Sequence, residues 1–110
     1  MKHRMSLLLT VIASLCSLSW SADHHKPDAD RGRVYMRSVC KTCHTRGAVG
    51  GEITPLNKTA EQWRAYFATG KHEHGKHPLT DILPEEKLRD LAKYLTLHAA
   101  DSLQPETCGR

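Results

Sequence analysis

Apolar positions along the chain fall into a leader and three helical patterns, separated by polar or glycine-rich stretches. Residues 7–18 are a mostly apolar run behind the basic start Met1-Lys2-His3-Arg4, and small residues flank Trp20 at Ser19, Ser21 and Ala22. Val34, Tyr35, Met36 and Val39 then recur at helical intervals, which predicts a first helix over about 28–39. Thr59-Ala60-Glu61-Gln62 has the form of a capping box, and Trp63, Tyr66 and Phe67 follow at i, i+3 and i+4. That pattern predicts a short helix with one aromatic face, ended by Gly70. Pro84, Glu85 and Glu86 suit a first turn, and Leu88, Leu91, Ala92 and Leu95 share one face, so a last helix is expected over about 84–98. Residues 45–58 hold Gly47, Gly50, Gly51 and Pro55 and read as loop. Residues 71–82 carry His72, His74 and His77 with little apolar pattern and read as a second loop. No stretch has a convincing strand signature, so the expected class is all-α.

The leader has the layout of a secretory signal peptide, with cleavage expected after Ser21. A spanning helix needs roughly 20 apolar residues, more than this run supplies, so stable membrane insertion is not expected. The expected organisation is a signal peptide over 1–21 and one domain over 22–110, with its core at about 28–98 and a flexible tail at 99–110. The full chain has 16 Lys and Arg against 12 Asp and Glu in 110 residues. Cleavage would remove Lys2 and Arg4 and no acid, leaving a weak positive balance that does not suit nucleic acid as a partner. Cys40, Cys43 and Cys108 would remain, an odd number that cannot form a closed disulfide framework. Cys108 is then read first as an exposed tail thiol, next as a disulfide link to a second chain, and last as a residue that reaches back to the candidate site. With a single Phe in the chain, the mature domain has a thin core. A large covalent apolar group would supply what is missing.

The candidate chemistry lies in Cys40-Lys41-Thr42-Cys43-His44. Two thiols about one turn apart can reach both vinyl groups on one side of a porphyrin, and the adjoining imidazole can reach its iron. A zinc site would need two more ligands, and a redox dithiol normally starts a helix after a strand. Both alternatives fit the surroundings less well than covalent haem c.

At these residues the chain resembles the class I monohaem cytochromes c, over roughly residues 28–98. "RGRVYMRSVCKTCH" is similar to that family's first helix, with Gly32 at the helix-crossing position, although Tyr35 lies one residue earlier than the usual aromatic. "ITPLN" resembles the loop whose proline carbonyl, here that of Pro55, accepts a hydrogen bond from the proximal histidine. "LPEEKLRDLAKYL" is similar to the closing helix, with Tyr94 as its interface aromatic. The resemblance implies a small cytochrome c fold of three to four helices around one covalent haem. Cys40 and Cys43 would hold the haem by thioethers, and His44 would be the proximal iron ligand. The family's usual distal methionine is missing, because no methionine follows Cys43. His77-Pro78 stands at the spacing of the family's Met-Pro, which makes His77 the expected distal ligand, with His72 as the alternative and His74 behind both. Two histidine ligands imply a low reduction potential, since Met/His ligation is what raises it. The expected function is electron transfer among periplasmic or membrane-bound redox proteins. A haem sensor with a displaceable histidine and a subunit of a haem redox enzyme are the alternatives. His98 is expected as a charge at the end of the last helix, and His24 and His25 as solvated.

Overall fold

The computed structural model describes residues 25–72 and 74–107. The signal-peptide expectation and Cys108 lie outside them. Helix α1 spans Ala29–Ser38, α2 spans Ala60–Thr69 and α3 spans Glu85–Leu97. A two-stranded antiparallel hairpin, β1 at Lys71–His72 and β2 at His77–Pro78, lies between α2 and α3. The histidine loop is therefore a hairpin rather than irregular chain, although the architecture remains mostly helical.

Local chemistry sets the helix ends. The Asp28 side chain accepts from the Arg31 N–H at the start of α1. Thr59 and Gln62 form the reciprocal capping box at the start of α2, and Gly70 ends that helix with φ of 63°. Pro84 occupies the N-cap position of α3. Asp101 also contributes, because its carboxylate accepts from the Ala60 N–H at 2.8 Å.

The core is Met36, Trp63, Leu79, Leu83, Leu88, Leu91, Tyr94, Leu95 and Ala99. Helix α1 buries Gly32 and Met36, one turn apart, so Val34, midway between them, faces outward and is 59% exposed. The inward face of α1 is thus offset from the one its apolar residues suggested. α1 and α3 pack closely at Gly32, where a Cβ would lie 2.0 Å from the backbone oxygen of Asp90 and 2.8 Å from Tyr94 Cβ. Only glycine permits this approach.

A charged cluster ties the lead-in to the same crossing. The side chain of Asp90 is fully buried, and its carboxylate accepts from the Asp28 N–H at 2.8 Å and Arg31 Nε at 2.9 Å. His25 Nε2 lies 3.0 Å from the carboxylate, so His25 is a structural partner rather than a solvated side chain. Burial alone pushes the Asp90 carboxyl up. The hydrogen bonds from Arg31, His25 and Asp28 together outweigh that effect and hold it well below the usual carboxylate range.

The segment after α3, expected to be flexible, is tied back through residue 107. His98 Nδ1 pairs with the Gln104 carbonyl at 2.8 Å, Glu106 N–H donates to the His98 carbonyl at 3.1 Å, and the Tyr94 hydroxyl donates to Glu106. His98 is thus engaged with this segment, and its ring packs 5.2 Å from that of Tyr94.

Candidate functional site

α1 leads directly into a 3-10 turn at Cys40–Thr42. The N–H groups of Cys43 and His44 both donate to the Cys40 carbonyl, at 3.2 and 2.9 Å. This winding keeps both thiols and the imidazole together at the end of α1. Cys40 and Cys43 are unpaired, the first half-buried and the second exposed. Burial pushes the Cys40 thiol pKa up, so the group is a protonated thiol near neutral pH.

The glycine loop curls back onto His44. Gly50 N–H donates to the Cys43 carbonyl at 2.8 Å, and the Gly50 carbonyl lies 3.0 Å from His44 Nδ1. A Cβ on Gly50 would stand 2.6 Å from both Nδ1 and Cε1 of the imidazole. The absence of that carbon lets the loop backbone lie against the ring. Lys41 Nζ donates to the Ile53 carbonyl at 2.6 Å and Ile53 N–H to the His44 carbonyl at 3.3 Å, closing the loop. Pro55 is buried, and its carbonyl accepts from Trp63 Nε1 at 2.8 Å. The His44 Nδ1 contact is therefore with Gly50, and the Pro55 carbonyl serves the indole of α2. A carbonyl has two lone pairs, so the Trp63 bond does not use up its capacity.

The ring that comes to His44 is that of His72, with centroids 5.7 Å apart and planes at 78°. Gly70 reverses the chain after α2, and β1 brings His72 back beside Tyr66, whose hydroxyl lies 2.8 Å from His72 Nδ1. His77 sits directly opposite His72 in the hairpin register and is exposed. His74 is exposed at the turn with φ of 55°.

A separation of 5.7 Å by itself would suit an edge-to-face pair of rings. The hydrogen bonds carry more information. Each imidazole has Nδ1 engaged, His44 with a carbonyl and His72 with a phenol, which leaves Nε2 of each as the nitrogen available for a metal. Metal-ligating histidines nearly always have their second nitrogen pinned in this way. Half-buried Val39, Cys40, Ile53, Tyr66 and Phe67 lie at the edge of the core and offer apolar surface nearby in sequence to both histidines. Among the described residues, no three His, Cys, Asp or Glu side chains assemble around a point where a bare ion would sit. Two imidazoles suffice if a macrocycle supplies the other four ligands.

The family described as cytochrome C oxidase, cbb3-type, subunit III matches residues 27–95, well over half of the chain. The chain belongs to this family of c-type cytochromes. No curated protein and no solved structure matches the chain. The cytochrome c family carries covalently bound haem c with iron and works by haem-based electron transfer. The residues at the end of α1 and on β1 fit that group: two free thiols on one turn, an imidazole pinned by Gly50, and a second pinned imidazole whose ring lies 5.7 Å from the first. No helix among the described residues is long and apolar enough to cross a membrane.

Sequence reasoning did not find Gly50, Tyr66 or Asp90 as partners of site or framework histidines. Their roles depend on contacts across the fold. The sequence pattern places Tyr66 on the aromatic face of α2, where it also packs.

Proposed function

We propose that this cytochrome is an exported monohaem electron carrier of the class I type, in which Cys40 and Cys43 would hold the haem by thioethers and His44 and His72 would be the iron ligands. The observation that carries the reading is the adjacent pair of imidazoles, with ring centroids 5.7 Å apart and planes at 78°, each with Nδ1 already engaged. His72 is preferred to His77 because its ring approaches that of His44. Residues 1–21 would act as the export signal and deliver residues 22–110 to the periplasm, where membrane-bound or periplasmic redox proteins are the partners.

Haem held there would supply a one-electron ferric/ferrous couple. The chain's own contribution would be to hold the His44 and His72 rings through their Nδ1 contacts, beside the half-buried Val39, Ile53, Tyr66 and Phe67, and so to limit reorganisation as charge changes. Two imidazole ligands favour a low reduction potential relative to Met/His ligation. With His44 and His72 both serving as iron ligands, the site would suit outer-sphere electron transfer better than substrate turnover.

The test is optical spectroscopy of the purified holoprotein and two variants. The wild type is expected to be low-spin in both oxidation states and slow to bind CO. His72→Ala should convert the haem to a high-spin form that binds CO rapidly, while His77→Ala should stay low-spin. The opposite pattern would assign His77 as the ligand. Rapid CO binding by the wild type would instead support a sensor with a displaceable histidine.

The family description names an oxidase subunit, which favours a second reading in which this domain delivers electrons within a larger redox complex. Purification from native membranes and soluble extract distinguishes the two. Co-migration with an oxidase supports the subunit, and a free cytochrome in the soluble fraction supports the carrier.

A further inference from the structure

The least expected contact at the site is the one between Tyr66 and His72. A neutral imidazole that binds metal through Nε2 must carry its proton on Nδ1. The group facing that proton at 2.8 Å is the Tyr66 hydroxyl, whose oxygen can accept it. The phenol is itself held firmly. Its ring packs edge-to-face on Trp63, with centroids 6.0 Å apart, and on Phe67 at 5.3 Å. Trp63 in turn is anchored by its indole N–H on the Pro55 carbonyl. A chain of fixed contacts therefore runs from the loop after His44, through α2, to the imidazole on the other side.

The hairpin that carries His72 has little rigidity of its own. Each strand has two residues, and the turn between them uses positive φ at His74 and Gly75. Its base is closed by Leu79 N–H donating to the Gly70 carbonyl at 2.8 Å. Main-chain geometry alone would leave the imidazole free to rotate. The phenol supplies the missing restraint.

We propose that Tyr66 is a positioning residue for the distal ligand: its oxygen accepts the Nδ1–H of His72, fixes the plane of the ring and makes Nε2 a stronger donor to haem iron. The inference rests on the reading of His72 as the distal ligand. An acceptor on Nδ1–H shifts electron density toward Nε2, which favours the ferric state and lowers the potential. Removing the acceptor then raises the potential and loosens the ligand.

The test uses Tyr66→Phe in the holoprotein, because phenylalanine keeps the ring packing and deletes only the oxygen. A potentiometric titration followed optically should show an upward shift of the midpoint with the low-spin spectrum retained. CO affinity of the ferrous form should rise by roughly 10–100-fold, the usual penalty for losing such a partner. An unchanged midpoint and CO affinity would overturn the proposal while leaving His72 as the ligand. A His72→Ala protein that stays low-spin would remove both the proposal and the reading beneath it. Should the phenylalanine variant fail to fold, NMR of the wild type decides the matter. A slowly exchanging His72 ring N–H close to the Tyr66 ring supports the contact, and a rapidly exchanging one overturns it.

Discussion

Gly50 shows how the site is specified one residue at a time. Its carbonyl pairs with His44 Nδ1, and the same residue's missing Cβ makes room for the ring. Gly50→Ala would place a carbon 2.6 Å from two imidazole atoms, so either the ring or the loop must move. The expected result is a high-spin fraction in the ferric spectrum and a stability loss of about 1–3 kcal/mol, the usual cost of overpacking. Gly51→Ala is the control. Gly51 has φ of 67°, so the change strains the backbone, but a Cβ there meets nothing within 4 Å and the spectrum should not change. Spacing in the sequence points to Cys40, Cys43 and His44 as candidates, because residues within one turn are close together whatever the fold. It could not rank the glycines of the following loop, because closeness to an imidazole is decided by how the loop folds back. The same applies to the histidines of residues 71–82. A family spacing drew attention to His77, whereas a hairpin places His72 one strand across from it and beside Tyr66.

Among the elements, all three helices were legible because their signals are short-range: the capping box at Thr59, the left-handed Gly70 and Pro84 at the start of α3. The two-residue strands were not, since so short a pair has no alternation to detect and depends on the turn at His74 and Gly75. The lock between the lead-in and α3 was also hidden, because His25 and Asp90 are 65 positions apart. This lock has a pH signature. The folded-state pKa of Asp90 lies below its unfolded value, so its contribution is fully present above the unfolded pKa of about 4 and is lost as pH falls through the depressed folded value. Thermal melts of the wild type should therefore lose Tm steeply on acidification below about pH 4. Asp90→Asn should melt lower at neutral pH, by on the order of 10 °C for a domain of this size, with a flatter acid limb. Identical acid limbs in the two proteins would show that other carboxylates govern the transition.

The whole molecule has few large apolar side chains, and the segment after α3 compensates by closing over the helices. Ala100 N–H donates to the Lys58 carbonyl, Asp101 caps Ala60, Gln104 and Glu106 bind His98, and Glu106 accepts from Tyr94. Burial, with the Glu106 hydrogen bond adding to it, pushes the Tyr94 phenol well above its ordinary range, so it stays a donor throughout the physiological window. These contacts link α3 to the start of α2 and to the strand of chain before it, which a free tail would leave unconnected. Each is modest by itself, at roughly 0.5–1.5 kcal/mol net, and ordering the segment offsets part of the sum. A chain shortened after residue 100 is therefore expected to lose on the order of 2 kcal/mol, seen as a Tm lower by about 10 °C. Its haem spectrum and potential should stay those of the full protein, because among the described residues the removed segment bonds to Ala60, Tyr94 and His98 and not to His44 or His72. A shortened protein with normal Tm would mean the segment adds nothing to stability. One with altered axial ligation would mean that closure of the helices and geometry of the iron site are coupled, and that this segment belongs to the redox machinery as well as to the frame.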